Sequence, residues 1–184
     1  MWDLRNALAQ SFATSRIKSM RGIWLFLRSA FWTFAFPGFF AGYVPWRYFG
    51  VSEVDFSWPN PLHVVAALFI ATGATLLLTC IYEFAARGRG TLSPADPPTK
   101  LVVQGLYRYV RNPMYLSVMT IVTGEILLTR SVDLLWYLLI FFLAASFFVR
   151  SYEEPYLKSQ FGESYEQYMR DVGRWLPRLR KRGA

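Results

Sequence analysis

A twelve-residue run near the middle of the chain carries the residue types needed to bind a polar, partly aromatic ligand. The run is GLYRYVRNPMYL, Gly105–Leu116, and it turns at Asn112-Pro113 into an apolar stretch. Glu153 and Glu154 stand about forty residues further on, where the next apolar stretch ends. We therefore expect two ionisable clusters to face each other across one short helical hairpin, as in a binding site.

The Asn112-Pro113 pair has a structural and a functional interpretation. Proline is preorganised for the first position of a helix, and asparagine before it is a good cap, so the pair predicts a helix start. A helix N-terminus also points free backbone N–H groups at a polar ligand, and the two interpretations are compatible. Tyr107, Tyr109 and Tyr115 could be tyrosines of a membrane interface, but the two arginines in the same run favour a ligand site.

The second cluster also has two interpretations. Arg150 precedes Glu153 and Glu154 by three and four residues, so one helical face holds all three and an internal ion pair is expected. Alternatively, a carboxylate near a membrane surface binds a cationic group such as an ammonium or sulfonium. Tyr165 and Tyr168, three residues apart, would then close over the ligand.

The composition indicates a membrane protein. Hydrophobic residues make up 54% of the chain and aromatics 18%. Its apolar runs approach the roughly 20 residues that cross a bilayer. The single Cys80 excludes an intrachain disulfide. The net charge of +8 is accompanied by no nucleic-acid motif, so we expect anionic lipid headgroups as partners and no nucleic acid.

Four spans are predicted, which makes the fold an all-α, polytopic membrane helical bundle. They run from about Ile23 to Trp46 with a kink at Pro37, from about Leu62 to Phe84, from Pro113 to Thr129 and from Leu134 to Val149. The short link from Arg130 to Asp133 joins the last two as an antiparallel hairpin. We divide the chain into residues 1–85, an interfacial helix and two spans, and 86–184, the catalytic region with its loop, hairpin and C-terminal helix.

Basic residues orient this bundle. Lys and Arg concentrate in the N-terminal arm, in the loop 86–112 and in the tail after Arg150, whereas loop 47–61 has only Arg47. The positive-inside rule therefore predicts cytoplasmic termini and a cytoplasmic site. The glycines and prolines of loop 86–112 favour a functional loop, with a flexible basic loop on the lipid surface as the alternative.

Two other ionisable residues are interpreted as structural. Glu125 lies in the third span only four residues before Thr129, so it is expected near the far interface, capping the turn at Arg130. His63 has no ligand partners nearby, and no metal site is expected.

Five sequence blocks between about residues 86 and 179 carry a family resemblance. In order they are GRGTLSPADPP, LVVQGLYRYVRNPMYL, GEILLTRS, EEPYLKSQFGESYEQY and RWLP. The chain resembles the integral-membrane S-adenosylmethionine-dependent methyltransferases, which include isoprenylcysteine carboxyl methyltransferase and phospholipid N-methyltransferases. Isoprenylcysteine methyltransferases usually have Arg-His-Pro where this chain has Arg111-Asn112-Pro113. It therefore looks closer to bacterial members, which implies a bacterial inner membrane and leaves the acceptor open.

The resemblance implies a cofactor pocket and roles for its residues. The pocket would draw on Thr99, Lys100, Leu101, Val102, Tyr107, Asn112, Pro113, Met114, Tyr115 and Glu153. S-adenosylmethionine needs an aromatic slot, donors for its carboxylate and an anion for its ammonium, and the aromatic loop, helix start and Glu153 can supply them. Methyl would pass directly to an oxygen, nitrogen or sulfur of a lipid-like acceptor. Arg150 would orient an anionic acceptor group, and Glu154 would accept the proton of an amine.

Two other functions remain open. An NADPH-dependent membrane reductase of a lipid would use the arginines to hold a 2'-phosphate. A non-enzymatic basic membrane scaffold would have no need of Tyr, Arg and Glu clustered at one membrane face. The oligomeric state stays open.

Overall fold

The regular structure of the described chain is helical. The computed structural model describes residues 35–51, 54, 61–87 and 101–178. Within these ranges the only pairing between extended segments is one isolated parallel bridge, Val110 with Gly173. The predicted all-α class is therefore confirmed. The N-terminal interfacial helix and the beginning of the first span lie outside the described residues.

Six α-helices have both ends within the described ranges. Their bounds are α1 Val44–Tyr48, α2 Pro61–Arg87, α3 Pro113–Thr129, α4 Val132–Phe148, α5 Glu154–Phe161 and α6 Glu163–Asp171. A π-helical segment, Phe39–Tyr43, precedes α1, and a 3-10 helix, Gly105–Arg108, precedes α3. The predicted second and third spans are thus helical, the third with the predicted bounds, but α3 is shorter than the two segments that are long enough to cross a membrane.

The end of the first predicted span departs from regular α-helix. Residues 35–38 are α-helical, and the π-helical segment Phe39–Tyr43 begins two residues after Pro37. Such a local departure is typical of a proline inside an apolar helix. Helical structure then continues to Tyr48, two residues beyond the predicted end at Trp46.

Helices α2 and α3 are in backbone contact through two glycines. A Cβ atom at Gly73 would lie 2.7 Å from a side-chain carbon of Ile121, and one at Gly124 would lie 2.7 Å from the carbonyl oxygen of Ala66. Small residues allow this close approach, which is the usual way for membrane helices to gain packing energy. The pair α2 and α3 is therefore the tightly packed part of the bundle.

The hairpin between α3 and α4 has the predicted form, with a shorter turn. Arg130 is in the left-handed conformation, with φ of 54°, and its N–H donates to the carbonyl of Ile126. Ser131 caps α4 by accepting a hydrogen bond of 3.2 Å from the N–H of Leu134. The Tyr137 hydroxyl donates to the carbonyl of Phe40 at 2.7 Å and ties α4 to the first span.

The helix that contains the fourth predicted span continues beyond the predicted end of that span at Val149. Helix α4 passes through a π-helical turn, Val149–Glu153, directly into α5. The resulting helical segment, Val132–Phe161, has 30 residues. At 1.5 Å per residue this is about 45 Å, longer than the roughly 30 Å of a bilayer core. Pro155 does not end the helix because it occupies the first turn of α5, where its missing N–H is tolerated.

The exposed surfaces of the long helices fit a lipid environment. Pro61–Glu83 and Val132–Phe161 are each long and apolar enough to cross a membrane. Large apolar side chains are exposed along them, including Val64, Leu68, Leu78, Leu135, Trp136, Ile140, Leu143 and Phe147. In water such a surface would be costly, whereas lipid chains cover it without penalty. We conclude that the chain is a membrane protein.

Candidate active site

The GLYRYVRNPMYL motif begins against the end of α2. Gly105 has φ of +58°, and a Cβ atom there would lie 2.6 Å from the carboxyl carbon of Glu83. Only glycine fits, because it tolerates both the left-handed backbone and the close approach. The buried Glu83 side chain therefore lies directly beside the motif. Sequence analysis missed this residue, although an ionisable group at the end of an apolar span is itself a signal of function.

Tyr107, Tyr115 and Glu153 come together at this end of the bundle. Tyr115, in the first turn of α3, lies beside Glu153 of the π-helical turn, and the two side chains interact electrostatically. Burial raises the pKa of the Tyr107 phenol well above its ordinary value, and the charges of nearby groups, Glu153 and Glu83 among them, add to the shift. The Tyr107 hydroxyl therefore stays protonated at neutral pH. The cluster combines aromatic walls, protonated hydroxyls and two carboxylates.

Glu154 has a different environment from its neighbour Glu153. Its carboxylate accepts two hydrogen bonds of 2.7 Å from Arg174, in the bidentate geometry of strong ion pairs. Arg111 adds an ion pair of 3.1 Å to the same carboxylate. The direct ion pairs of Glu154 are therefore with Arg174 and Arg111, and Arg150, which one interpretation of the sequence paired with the glutamates, acts on Glu154 only as a more distant charge.

The C-terminal segment is attached to the motif by backbone and side chain. The Arg111 N–H donates to the carbonyl of Gly173 at 2.9 Å. The Asn112 side chain donates to the carbonyl of Arg174 at 3.2 Å and makes no capping bond to α3. Asn112 does occupy the expected N-cap position, but its side chain does not cap the helix because the amide joins the two segments instead. Pro113 does occupy the first turn of α3, as predicted.

Two tyrosines of α6 pack against the GLYRYVRNPMYL motif and its flanking residues. Tyr165 and Tyr168 are buried with Val172, and Leu101 packs against them. The Tyr168 hydroxyl donates to the carbonyl of Tyr107 at 2.6 Å. These contacts hold the 3-10 helix in place, so both tyrosines act in this structure as part of the packing under the site. Their closing over a ligand stays a prediction.

Trp175 fills the space between α3 and α4 beside the cluster. Its ring meets Tyr115 edge-on, with centroids 6.1 Å apart, and lies 5.5 Å from the ring of Phe142. Trp175 belongs to the RWLP block of the family resemblance, but the sequence predicted no role for it. Because it follows Arg174, the same segment that neutralises Glu154 also places an aromatic wall against Tyr115.

The other predicted pocket residues have mixed positions. Thr99 and Lys100 lie outside the described residues. Val102 is buried and Leu101 is half-buried, both just before the 3-10 helix, and Met114 is half-buried in the first turn of α3.

Glu125 lies apart from this cluster. It is 6% exposed, and one of its carboxylate oxygens has no hydrogen-bond partner. The turn at Arg130 is closed by the backbone and by the hydroxyls of Thr129 and Ser131, so the expected capping by the Glu125 side chain is wrong. An open cleft of about 340 Å³ at this far end includes His63 in its lining. That cleft is remote from the tyrosine cluster.

Residues 61–164 match a family model described as phospholipid methyltransferase. The matched stretch runs from α2 through the motif to both carboxylates, so it includes the cluster of Tyr107, Tyr115 and Glu153. The chain belongs to the phospholipid methyltransferase family. The chain is similar to the protein-S-isoprenylcysteine O-methyltransferase of Schizosaccharomyces pombe, with 38% identity over 78 residues. That alignment takes in 42% of this chain and 33% of the relative, so the chain spans about a third of the relative's length.

Proposed function

We propose that this protein is an S-adenosylmethionine-dependent methyltransferase that acts on a lipid-like acceptor at the membrane surface. The observation that carries the proposal is the Tyr107, Tyr115 and Glu153 cluster at the end of a membrane hairpin. The family, phospholipid methyltransferase, supports methyl transfer rather than the hydride transfer of a reductase.

The charges of the two neighbouring glutamates support binding of a cationic cofactor. Glu154 is neutralised by Arg111 and Arg174. Among the described residues Glu153 has a tyrosine partner and a like-charged neighbour, with no cation beside it. A buried carboxylate in this position gains most from a ligand that brings its own positive charge. The residues present therefore fit S-adenosylmethionine, which carries an ammonium and a sulfonium.

The remaining groups of the cluster match the rest of that cofactor. The first turn of α3, after Pro113, leaves backbone N–H groups free to bind a carboxylate. The rings of Tyr107 and Tyr115 supply aromatic surface for the adenine. When bound, S-adenosylmethionine supplies a methyl group activated by the sulfonium. The chain's own part is to hold the reactants in line and to exclude water.

The acceptor's protonation decides what else the residues must do. A carboxylate acceptor is already anionic and needs no base. An amine acceptor must lose a proton, and Glu154 is the predicted proton acceptor. Because both Glu154 oxygens are engaged by arginines, a carboxylate acceptor is the simpler match to the described side chains. Arg150, exposed at the start of this turn, would orient an anionic acceptor group.

Ligand binding tests the proposal directly. The purified protein is expected to bind S-adenosylhomocysteine with micromolar affinity in calorimetry and to show no comparable affinity for NADPH. Glu153→Gln should weaken that binding more than tenfold, since a charge-assisted hydrogen bond is typically worth about 1.5 to 3 kcal/mol. Glu163→Gln, an exposed carboxylate on α6, is the matched control and should bind normally. Unchanged affinity in Glu153→Gln would remove Glu153 from the site, and binding of NADPH alone would reject the methyltransferase.

A further inference from the structure

Ser146 on α4 differs from other hydroxyl residues of the membrane helices. Several of these donate to the carbonyl four residues earlier at 2.8 to 2.9 Å, namely Thr75, Thr79, Ser117, Thr120, Thr123 and Thr129. The Ser146 hydroxyl is buried and has no hydrogen-bond partner. Nearly all buried polar groups in native proteins have a hydrogen-bond partner, so this hydroxyl requires an explanation.

The indole N–H of Trp175 is a second buried donor without a partner. Its ring contacts Phe142, and Ser146 lies one helical turn beyond Phe142 in the direction of Glu153. The i, i+4 spacing therefore puts Ser146 on the face of α4 that Trp175 contacts at Phe142, and the space beside Trp175 between α3 and α4 is called the seam below. Tyr115, which contacts the Trp175 ring and lies beside Glu153, connects this seam to the proposed cofactor cluster.

Two arginines lie near the seam, one of them directly before Trp175. Arg111 and Arg174 both pair with the Glu154 carboxylate. Arg111 is also deeply buried, with 8% of its side chain exposed. Its Nε, like the two donors above, is buried without a hydrogen-bond partner. Three such donors favour a ligand group that has only acceptor oxygens, such as a carboxylate or a phosphate.

We propose that Trp175 Nε1 and Ser146 Oγ form an oxyanion site for the methyl acceptor in the seam between α3 and α4. The site takes a carboxylate or phosphate oxygen of an amphiphile whose chain lies among the apolar side chains of the hairpin. This inference rests on the proposed methyltransferase function and adds the acceptor's chemical class. Trp175 and Ser146 are then specificity-determining residues that touch the acceptor.

Indole NMR tests the site without relying on turnover. The protein, labelled with ¹⁵N at its seven tryptophans, is placed in lipid nanodiscs with saturating S-adenosylhomocysteine. The Trp175 resonance is assigned by its loss in Trp175→Phe or, should that variant not fold, by elimination using single replacements of the other tryptophans. One pair of probes is N-acetyl-S-farnesylcysteine and its methyl ester. The other is a short-chain phosphatidylethanolamine and the diacylglycerol that lacks the phosphate.

The expected result is a downfield shift of the Trp175 indole proton with the charged member of a pair and none with its uncharged partner. A response to farnesylcysteine identifies a carboxylate, and a response to phosphatidylethanolamine identifies a phosphate. Ser146→Ala should weaken binding of the effective probe about tenfold, the loss typical of one hydrogen bond to a charged group. Trp136→Phe replaces an exposed tryptophan of the same helix and is the control, so it should leave binding of that probe unchanged.

Two results would overturn the oxyanion site. One is an indole resonance that responds to none of the four probes, and the other is an equal response to the charged and uncharged members of both pairs. The proposed function is judged separately by calorimetry with S-adenosylhomocysteine. Binding of that ligand with a silent indole rejects only the oxyanion site, whereas absence of binding rejects the methyltransferase itself.

Discussion

Glu153 and Glu154 show how one residue type acquires two functions at adjacent positions. A helix rotates by about 100° per residue, so neighbouring side chains point to different surroundings. Glu153 points to Tyr115 and the proposed cofactor, and Glu154 points to Arg174 and Arg111. The first is therefore suited to binding a cation, and the second to holding the C-terminal segment in place.

The ion pairs of Glu154 predict a stability effect. Glu154→Gln keeps the side-chain shape but leaves the buried Arg111 without a counter-charge, so it should lower the free energy of unfolding by about 3 kcal/mol. Denaturant unfolding of the solubilised protein measures this. Glu166→Gln, which removes the exposed pair with Lys158, is the control and should have no measurable effect. If Glu154→Gln is fully stable yet fails to methylate an amine acceptor, Glu154 acts as the base instead.

A separate prediction concerns Arg150, which is proposed to orient the methyl acceptor. Because it is exposed and lies beside the cluster, Arg150→Ala should raise the KM for an anionic acceptor while leaving S-adenosylhomocysteine affinity nearly unchanged. Transfer of labelled methyl into an organic-extractable product measures the first effect, and calorimetry measures the second. Label found only in water-soluble products would contradict a lipid-like acceptor. Loss of cofactor binding in the variant would place Arg150 in the cofactor pocket.

Among the helices, the pair α2 and α3 forms the rigid base on which the site is built. Their backbones touch at Gly73 and Gly124, so the end of α2 and the start of α3 are held at a constant separation. Glu83 and Tyr115 lie on these two ends. Helix α4 is different, since much of its surface is exposed and Trp175 occupies the space beside Phe142. This less covered seam is where we expect an acceptor chain to enter.

Close packing of α2 against α3 predicts the effect of a single methyl group. In Gly73→Ala the new Cβ would lie within 2.8 Å of the backbone of α3, so the helices must move apart. The expected loss is about 1 to 3 kcal/mol of unfolding free energy, together with weaker binding of S-adenosylhomocysteine. Gly42→Ala is the control, because nothing lies within 4 Å of a Cβ at that position. Equal stability of the two variants would show that α2 and α3 tolerate separation.

For the whole molecule, the two ends of the bundle are predicted to lie on opposite sides of the membrane. Single cysteines at Ser164 and Asp133, both exposed, probe the site end and the hairpin turn in a Cys80→Ser background. The distribution of Lys and Arg predicts labelling of Ser164 only from the cytoplasm and of Asp133 only from outside. A membrane-impermeant thiol reagent applied to intact and inverted vesicles measures both. Labelling of both positions from one side would rule out this topology.

The sequence by itself determined the helices and the family. Apolar runs, the proline at the start of α3 and the short polar turn before α4 are local signals, since each acts through residues a few positions away. The blocks that carried the family resemblance are equally local in sequence. The end of the fourth apolar run, predicted at Val149, is an exception, because a π-helical turn allows the helix to continue through Glu153, Glu154 and Pro155.

Only the tertiary structure decided which side chains meet at the site. The hydrogen bonds from Asn112 to Arg174 and from Tyr168 to Tyr107 join positions 62 and 61 apart in the chain, and Glu154 and Arg174 are 20 apart. Such partners are chosen by how the C-terminal segment folds back on the motif, which no local spacing records. For the same reason the sequence did not predict that Glu83 and Trp175 lie at the site. A charged residue is satisfied by whichever partner the packing brings within reach, and that depends on the whole bundle.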